Sequence, residues 1–325
     1  MSNSRLQIIA VSEKPDNSTS QKVSRRDSTR AKFERLWHTN PAQFDPHRDA
    51  MQRERIARTW KVIADCTDPE NKKAVDLGCG RGVLSELLAS AGASVVAVDI
   101  ASNALKILEE KHFPNIKTQL EYVPRTSLDD DFFDIVVAAD LIAYLPHDDF
   151  RLFFSELARL VTREGIVVCS TPIDIYSEDS LQRFIELAET ELKITRWKFS
   201  HHALYIRFLG VLEAPHHFVK ASSDPEYRKE ALSERKGLSR YWFKWNSSWG
   251  LSHVWWALQW IFRPLVSFIK QSKGTLLFLE KICRNVSYEN GISHVIIAGK
   301  RRPLVEPGVE EEKLQDFKVR KRIWE

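Results

Sequence analysis

Apolar positions along the chain change period several times, and each change marks an element. Residues 1–30 show no period. They are dominated by Ser, Thr, Lys and Arg, the apolar patch at 6–11 is too short for a signal-peptide core, and the segment reads as a disordered leader. From 31 to 70 the spacing turns helical. Phe33, Leu36 and Trp37 form one apolar set and Ile56, Trp60 and Ile63 a second, with Pro41 and Pro46 between them, which predicts an N-terminal helical cap. The pattern then shortens to apolar runs at 74–77, 94–99, 134–139 and 165–171, with a weaker one at 117–123, separated by helical stretches at 83–91, 103–111 and 148–161. Continuous Val/Ile/Ala strands alternating with helices are buried on both faces, which makes the sheet mostly parallel. Right-handed crossovers then give a doubly wound, Rossmann-like α/β fold.

After Pro172 the regularity weakens. A helix is expected at 177–190, a sixth strand at 192–199 and a last strand at 292–298. The core therefore comprises 71–200 and 290–300, with an inserted, mostly helical cap at 201–289 and a charged tail at 301–325.

Composition narrows the class. With 325 residues, 43% of them apolar, the chain can bury a full domain plus an elaboration without disulfide staples. A net charge of +4 is too mild for a nucleic-acid binder. The four Cys are widely spaced with no CxxC pair, which fits reduced thiols and a cytoplasmic protein and suggests no metal site. The uncharged stretch 245–262 carries seven polar, Gly or His residues and is a poor spanning helix.

The candidate chemistry begins at Asp76-Leu77-Gly78-Cys79-Gly80-Arg81-Gly82. Only 12 Gly occur in the chain, and three of them fall at alternate positions here. Glycines let the backbone turn sharply between a strand and a helix and approach a ligand closely. A dinucleotide fingerprint would need Gly at position 83, which is Val. Asp99 ends the second strand, and a carboxylate there can accept two hydroxyl donors.

These residues resemble the first motif of the class I S-adenosylmethionine-dependent methyltransferases, D-x-G-x-G-x-G, at every defined position. Asp131-Phe132-Phe133-Asp134 leading into strand four, followed by Ala139-Asp140-Leu141, resembles a further family pattern. The resemblance spans residues 53–172 and the last strand. It implies that S-adenosylmethionine is the cofactor, that Asp76, Gly78, Cys79, Gly80 and Gly82 hold it, that Asp99 and Ile100 meet its ribose, and that Asp140 and Leu141 lie beside the site. Relatives commonly place an acid or amide after strand three to hold adenine. Residues 122–127 offer no carboxylate here, so Thr126 and Ser127 are the candidates. Many relatives carry His shortly after strand four, where this chain has Tyr144. The segment around Phe33 to Pro46 is also similar to the N-terminal cap of quinone and small-molecule methyltransferases, which folds over the cofactor.

Methyl transfer from a sulfonium needs alignment more than covalent catalysis, though an oxygen acceptor benefits from a base. His201 and His202, following the sixth strand, and Tyr144 are the candidate catalytic residues, with His216, His217 and His147 as further substrate-side groups. Neighbouring histidines on a strand point to opposite faces, so the two pairs do not make a convincing metal site.

The insert has its own signature. Six of the ten Trp fall in it, and 220–284 carries twelve basic against five acidic side chains, a net +7. On one continuous helix Trp242, Trp245, Trp249, Trp256 and Trp260 would share a face; a break near Gly250 would leave three aligned. A basic, Trp-rich helical segment suits either a lid whose Trp line an apolar pocket or contact with an anionic membrane surface, placing the protein peripherally at a membrane's inner face. The expected function is methyl transfer to a small apolar acceptor, a lipid, quinone or similar, on oxygen or nitrogen. The alternative is a catalytically silent methyltransferase fold serving as a binding or scaffold module. RNA recognition lacks any accompanying module, and the oligomeric state is not encoded in these patterns.

Overall fold

The computed structural model describes residues 17–174, 180–233, 235, 237–247, 249–286 and 289–302. The first residues of the expected leader and the charged tail from 303 onward lie outside the described residues. Seven strands form one sheet: β1 (Lys73–Leu77), β2 (Ser94–Asp99), β3 (Ile116–Leu120), β4 (Phe133–Ala139), β5 (Val161–Pro172), β6 (Leu192–Ser200) and β7 (His294–Arg301). Their order is β3-β2-β1-β4-β5-β7-β6. The pairings from β3 to β5 are parallel, and β7 runs antiparallel to both neighbours.

The helices of the first part are α1 (Asn17–Thr39), α2 (Ala50–Cys66), α3 (Val83–Ser90), α4 (Ser102–Glu109), α5 (Phe150–Leu160) and α6 (Ser180–Glu191). Alternate residues of a strand serve opposite faces. Val136 and Ala138 of β4 pack with Phe153, Phe154 and Phe184 of α5 and α6, whereas Ile135 and Val137 pack with Ile63 of α2 and Leu88 of α3. Both faces are thus covered, the reason these strands read as unbroken apolar runs. Asp49 starts α2 by accepting the backbone N–H groups of Met51 (2.7 Å) and Gln52 (3.2 Å), satisfying donors a helix start leaves open.

Helix α1 begins at Asn17, well inside the segment expected to be a leader. The Lys and Arg residues that mark this stretch as polar are also good helix formers. Its later turns are fixed by packing: Phe33 and Trp37 cluster with Ala101 and Ala104. Glu34 accepts the N–H groups of Ser102 (2.7 Å) and Asn103 (3.1 Å), capping α4 from another element.

Between β6 and β7 run α7 (Ala203–Ser223), α8 (Pro225–Ser233), α9 (Gly237–Asn246), α10 (Ser252–Gln271) and α11 (Lys273–Val286). The Trp-rich stretch is broken between α9 and α10, so the single continuous helix is not formed; Gly250 lies in that break. Tyr205, Leu209, Ile269 and Leu276 bury themselves with Ala50 of α2, and Phe218, Ala221, Ala231 and Phe243 form a second small core. Among the described residues, no helix is long and apolar enough to cross a membrane.

Candidate active site

A cleft of about 300 Å³ opens at the carboxyl ends of β1, β2 and β4, the usual ligand end of an open α/β sheet. Its floor is the glycine turn. Gly78 and Gly80 take φ of +72° and +53°, a region that Cβ-bearing residues enter at a cost. A Cβ on Gly78 would lie 2.8 Å from Leu141 Cδ1. The N–H groups of Gly78 and Cys79 both donate to the Val98 carbonyl, at 2.8 and 2.9 Å, which pins the turn to β2. Gly82 lies just beyond the lining. With φ +82° it starts α3, and a Cβ there would meet Leu108 at 2.5 Å, so its role is to let the helix approach α4.

Two buried carboxylates stand behind the turn. Asp76 accepts the Ser85 hydroxyl at 2.6 Å. Burial, and secondarily the nearby Asp99 charge, push its pKa up to about 6 against the pull of Ser85. Asp99 accepts the N–H groups of Gly80 and Ala101, both at 2.9 Å, one on each oxygen. Each oxygen keeps a lone pair for a ligand hydroxyl. Burial raises the Asp99 pKa as well, against those bonds.

Ile100, Asp140, Leu141 and Tyr144 also line the cleft, and Phe33, Trp37, Pro46, Arg55 and Ile56 close it from the N-terminal side. Arg81 of the turn pairs with Asp45 at 3.0 Å, tying this cover to the floor. Phe33 meets Tyr144 edge-on, ring centroids 5.2 Å apart.

Several expected residues fall elsewhere. Thr126 and Ser127 are not part of the lining. Thr126 gives its N–H (2.8 Å) and hydroxyl (2.6 Å) to Glu156, and the Ser127 hydroxyl donates to Glu121. Glu121 lines the cleft one residue past the end of β3, so a carboxylate does stand on the side where relatives hold adenine. His201 and His202 are also absent from the lining. β6 ends at Ser200 and the chain turns into α7 there, burying both imidazoles (4% and 0% exposed) beside α11. The His201 N–H donates to Glu280 at 3.1 Å and the His202 N–H to Ser293 Oγ at 3.0 Å. His216 faces Gln259 (3.4 Å) and His217 the Tyr227 hydroxyl (2.6 Å), both within the insert. Among the described residues, none of the insert lines this cleft.

One constellation had no counterpart in the sequence reading. His294 Nε2 lies 2.7 Å from Asp140 Oδ1, the Ser170 hydroxyl donates to the same oxygen at 2.8 Å, and Arg55 stands 3.5 Å from Oδ2. Burial opposes the Asp140 charge, but His294, Arg55 and Ser170 outweigh it and hold its pKa at about 2. Burial pushes the His294 imidazole the other way, toward its neutral form, despite Asp140.

Strand order, glycine turn and the Asp76–Asp99 pair define a class I S-adenosylmethionine-dependent methyltransferase domain, with S-adenosylmethionine as its cofactor. Asp99 presents its carboxylate oxygens at the cleft, and the absence of a Cβ at Gly78 and Gly80 lets the turn pack closely against Leu141 and Trp37. A family model described as a methyltransferase domain matches residues 74–165, and the chain carries a domain of that family. It is similar to the ubiquinone biosynthesis O-methyltransferase of Pelagibacter ubique, 28% identical over 131 residues covering 39% of this chain and 53% of that protein. It is also similar to the mitochondrial ubiquinone biosynthesis O-methyltransferase of Arabidopsis thaliana, 30% identical over 169 residues, 47% of this chain and 52% of the relative. The chain thus spans about half the length of the curated relatives it matches. Among solved structures, the N-methyltransferase NodS from Bradyrhizobium japonicum WM9 aligns with a TM-score of 0.45 at 16% identity, covering 53% of this chain and 89% of that one.

Proposed function

We propose that this protein transfers the methyl group of S-adenosylmethionine to an oxygen of a small, apolar, quinone-like acceptor. The observation that carries the reading is the cleft itself. Asp99 and the glycine turn share it with an ionised Asp140, Arg55 and the Phe33–Tyr144 ring pair, which set a polar anchor beside aromatic surface. The relatives named for O-methylation in ubiquinone biosynthesis support oxygen as the acceptor atom. Glu121, a carboxylate at the cleft just past β3, supports a working cofactor site over the silent-scaffold alternative. Incubation with labelled S-adenosylmethionine and a catechol bearing a short isoprenoid tail tests the reading. A monomethyl ether is expected, and cofactor binding without transfer to any such catechol overturns it.

The insert's surface favours a second element of the reading, peripheral attachment to an anionic membrane. Helix α10 packs Trp255 on Phe218 and buries Ile269, but turns Val254, Trp256, Trp260, Ile261, Leu265 and Phe268 outward. Phe268 is 69% and Trp260 56% exposed. On α9, Tyr241, Trp242 and Trp245 are also exposed. Amphipathic aromatics beside a net charge of +7 match an interface of acyl chains and anionic headgroups. An apolar acceptor dissolved in that membrane would then lie near the cleft. Co-sedimentation with vesicles containing phosphatidylglycerol is the test; equal indifference to anionic and neutral vesicles overturns it.

A further inference from the structure

Resting on the reading of an O–H acceptor, we propose that Asp140 receives the acceptor's proton during methyl transfer, with His294 and Ser170 as the positioning residues that hold it.

Asp140 lines the cleft in a left-handed conformation (φ +57°), which a non-glycine residue adopts at a cost and which brings its carboxylate to the end of β4. Its two oxygens are used unequally. Oδ1 accepts from His294 Nε2 and the Ser170 hydroxyl, and the Asp140 N–H bonds the Ser170 carbonyl at 3.0 Å, so one side of the group is fixed by β5 and β7. Among the described residues Oδ2 has only Arg55, at 3.5 Å, too long for a good hydrogen bond. Among the described residues, Arg55 Nε and His294 Nδ1 are buried without hydrogen-bond partners. Beside Oδ2, then, stands a charged and incompletely satisfied guanidinium, and Oδ2 is the carboxylate oxygen left open toward the cleft. An ionised carboxylate only accepts, so the hydrogen on His294 is assigned to Nε2 and the imidazole acts toward Asp140 as a donor.

The chemistry balances without a further reactant. The acceptor oxygen attacks the methyl carbon, the C–O bond forms, and the C–S bond breaks with its electron pair going to sulfur, leaving neutral S-adenosylhomocysteine. The acceptor's proton grows strongly acidic as its oxygen becomes oxonium-like. A carboxylate is therefore a competent acceptor for it late in the displacement, and the proton ends on Oδ2 before passing to solvent. General-base help of this kind is worth on the order of a hundredfold or more in rate.

The test uses the full chain, catechols whose ring substituents span a range of hydroxyl acidity, and the variants Asp140→Asn, His294→Gln and His294→Leu. Asp140→Asn is expected to lower kcat on the order of a hundredfold for the least acidic catechols and little for 4-nitrocatechol, which is already ionised, with the Kd for S-adenosylmethionine held within about threefold. His294→Gln keeps a donor and should retain more activity than His294→Leu; circular dichroism checks that both fold. An equal loss across the catechol series, or a loss matched by weakened cofactor binding, overturns the proposal. A second readout needs no turnover. With S-adenosylhomocysteine present, 4-nitrocatechol donating to Asp140 should ionise at higher pH than free in solution, and Asp140→Asn should abolish that shift. If the shift is present but no acceptor is methylated, the O-methylation reading fails and Asp140 keeps only its contact with a bound hydroxyl; a wild-type protein with no shift overturns the role.

Discussion

Arg58 of α2 and Glu280 of α11 meet in a fork of two hydrogen bonds, 2.7 and 2.6 Å, with both side chains largely buried. Arg58 also donates to Ser200 Oγ at 2.9 Å and Glu54 at 3.1 Å, and Glu54 pairs with Lys273 at 3.1 Å. The fork fastens the insert to the helix that carries Arg55 into the cleft. Truncating Glu280→Ala removes both bonds of the fork and leaves Arg58 with Glu54 and Ser200 alone, and should cost about 2 to 3 kcal/mol in a denaturant melt. Replacing both partners by apolar residues of similar volume should cost much less.

The same fork makes stability depend on pH in one direction. Burial works against the Glu280 charge, but the His202 imidazole 3.6 Å away and the two bonds from Arg58 hold its carboxyl well below the usual carboxylate range. A depressed acid contributes stability that is complete above its unfolded pKa, near 4.5, and is lost as pH falls toward the lower folded value. Asp76 runs the opposite way. Its pKa rises from 3.8 to about 6, so its contribution is complete below 3.8 and lost as pH rises through 6. That loss amounts to about 2 to 3 kcal/mol. Between pH 4 and 6 the urea midpoint of the cofactor-free wild type should therefore lose ground with rising pH relative to that of Asp76→Asn, the difference between the two proteins isolating this group.

Cofactor affinity should depend on Asp99 through the lone pairs left by Gly80 and Ala101. Asp99→Asn replaces a charged acceptor by a neutral one that also presents an N–H group. It is expected to weaken S-adenosylmethionine binding on the order of a hundredfold by calorimetry, about 3 kcal/mol for two charge-assisted bonds. Unchanged affinity would remove Asp99 from the ribose site.

Gly82 should behave differently from Gly78. Gly82→Ala combines a left-handed backbone with a 2.5 Å approach to Leu108, away from the lining. Its main effect should be a stability loss on the order of 2 kcal/mol. Gly78→Ala, which intrudes toward Leu141 in the cleft, should show its loss in cofactor binding as well.

The exposed tryptophans should matter little to folding. Trp256→Ala with Trp260→Ala is expected to change stability by about 0.5 kcal/mol or less. It should reduce partitioning onto anionic vesicles on the order of tenfold. A large fall in melting temperature would mean instead that these rings pack in the folded protein.

The sheet was largely legible in the sequence because its strands are buried on both faces and therefore continuous in apolar residues, as in β4. The glycine turn and Asp99 were legible because a local motif places them. What escaped depends on longer-range geometry. Glu121 was hidden because the third strand was read through to residue 123, whereas β3 ends at Leu120; a shorter strand would have put an acid at its tip, as Asp99 is at the tip of β2. His294 stood in plain view as a polar interruption at the head of an apolar run, but its partner is 154 positions away on another strand. Arg55 sat on a helix face with Ile56, and only the packing of α2 over β5 and β7 turns it toward Asp140. The expectation for His201 and His202 failed because a position after a strand says which end of the sheet a residue occupies, not which side of the turn its ring takes.

Ser200 and His294 are register partners in the antiparallel pair of β6 and β7. The insert therefore leaves the sheet and returns to it at the same rung, so that topologically it is the loop of a β-hairpin, enlarged to about ninety residues. The entropy of closing such a loop grows only with the logarithm of its length. Exchanging the whole insert for a short turn between Ser200 and His294 should thus leave strand register, the glycine turn and Asp99 in place. What it would remove is Glu280 from Arg58 and the aromatic surface from the molecule, making the cofactor domain and its attachment device separable parts of one polypeptide.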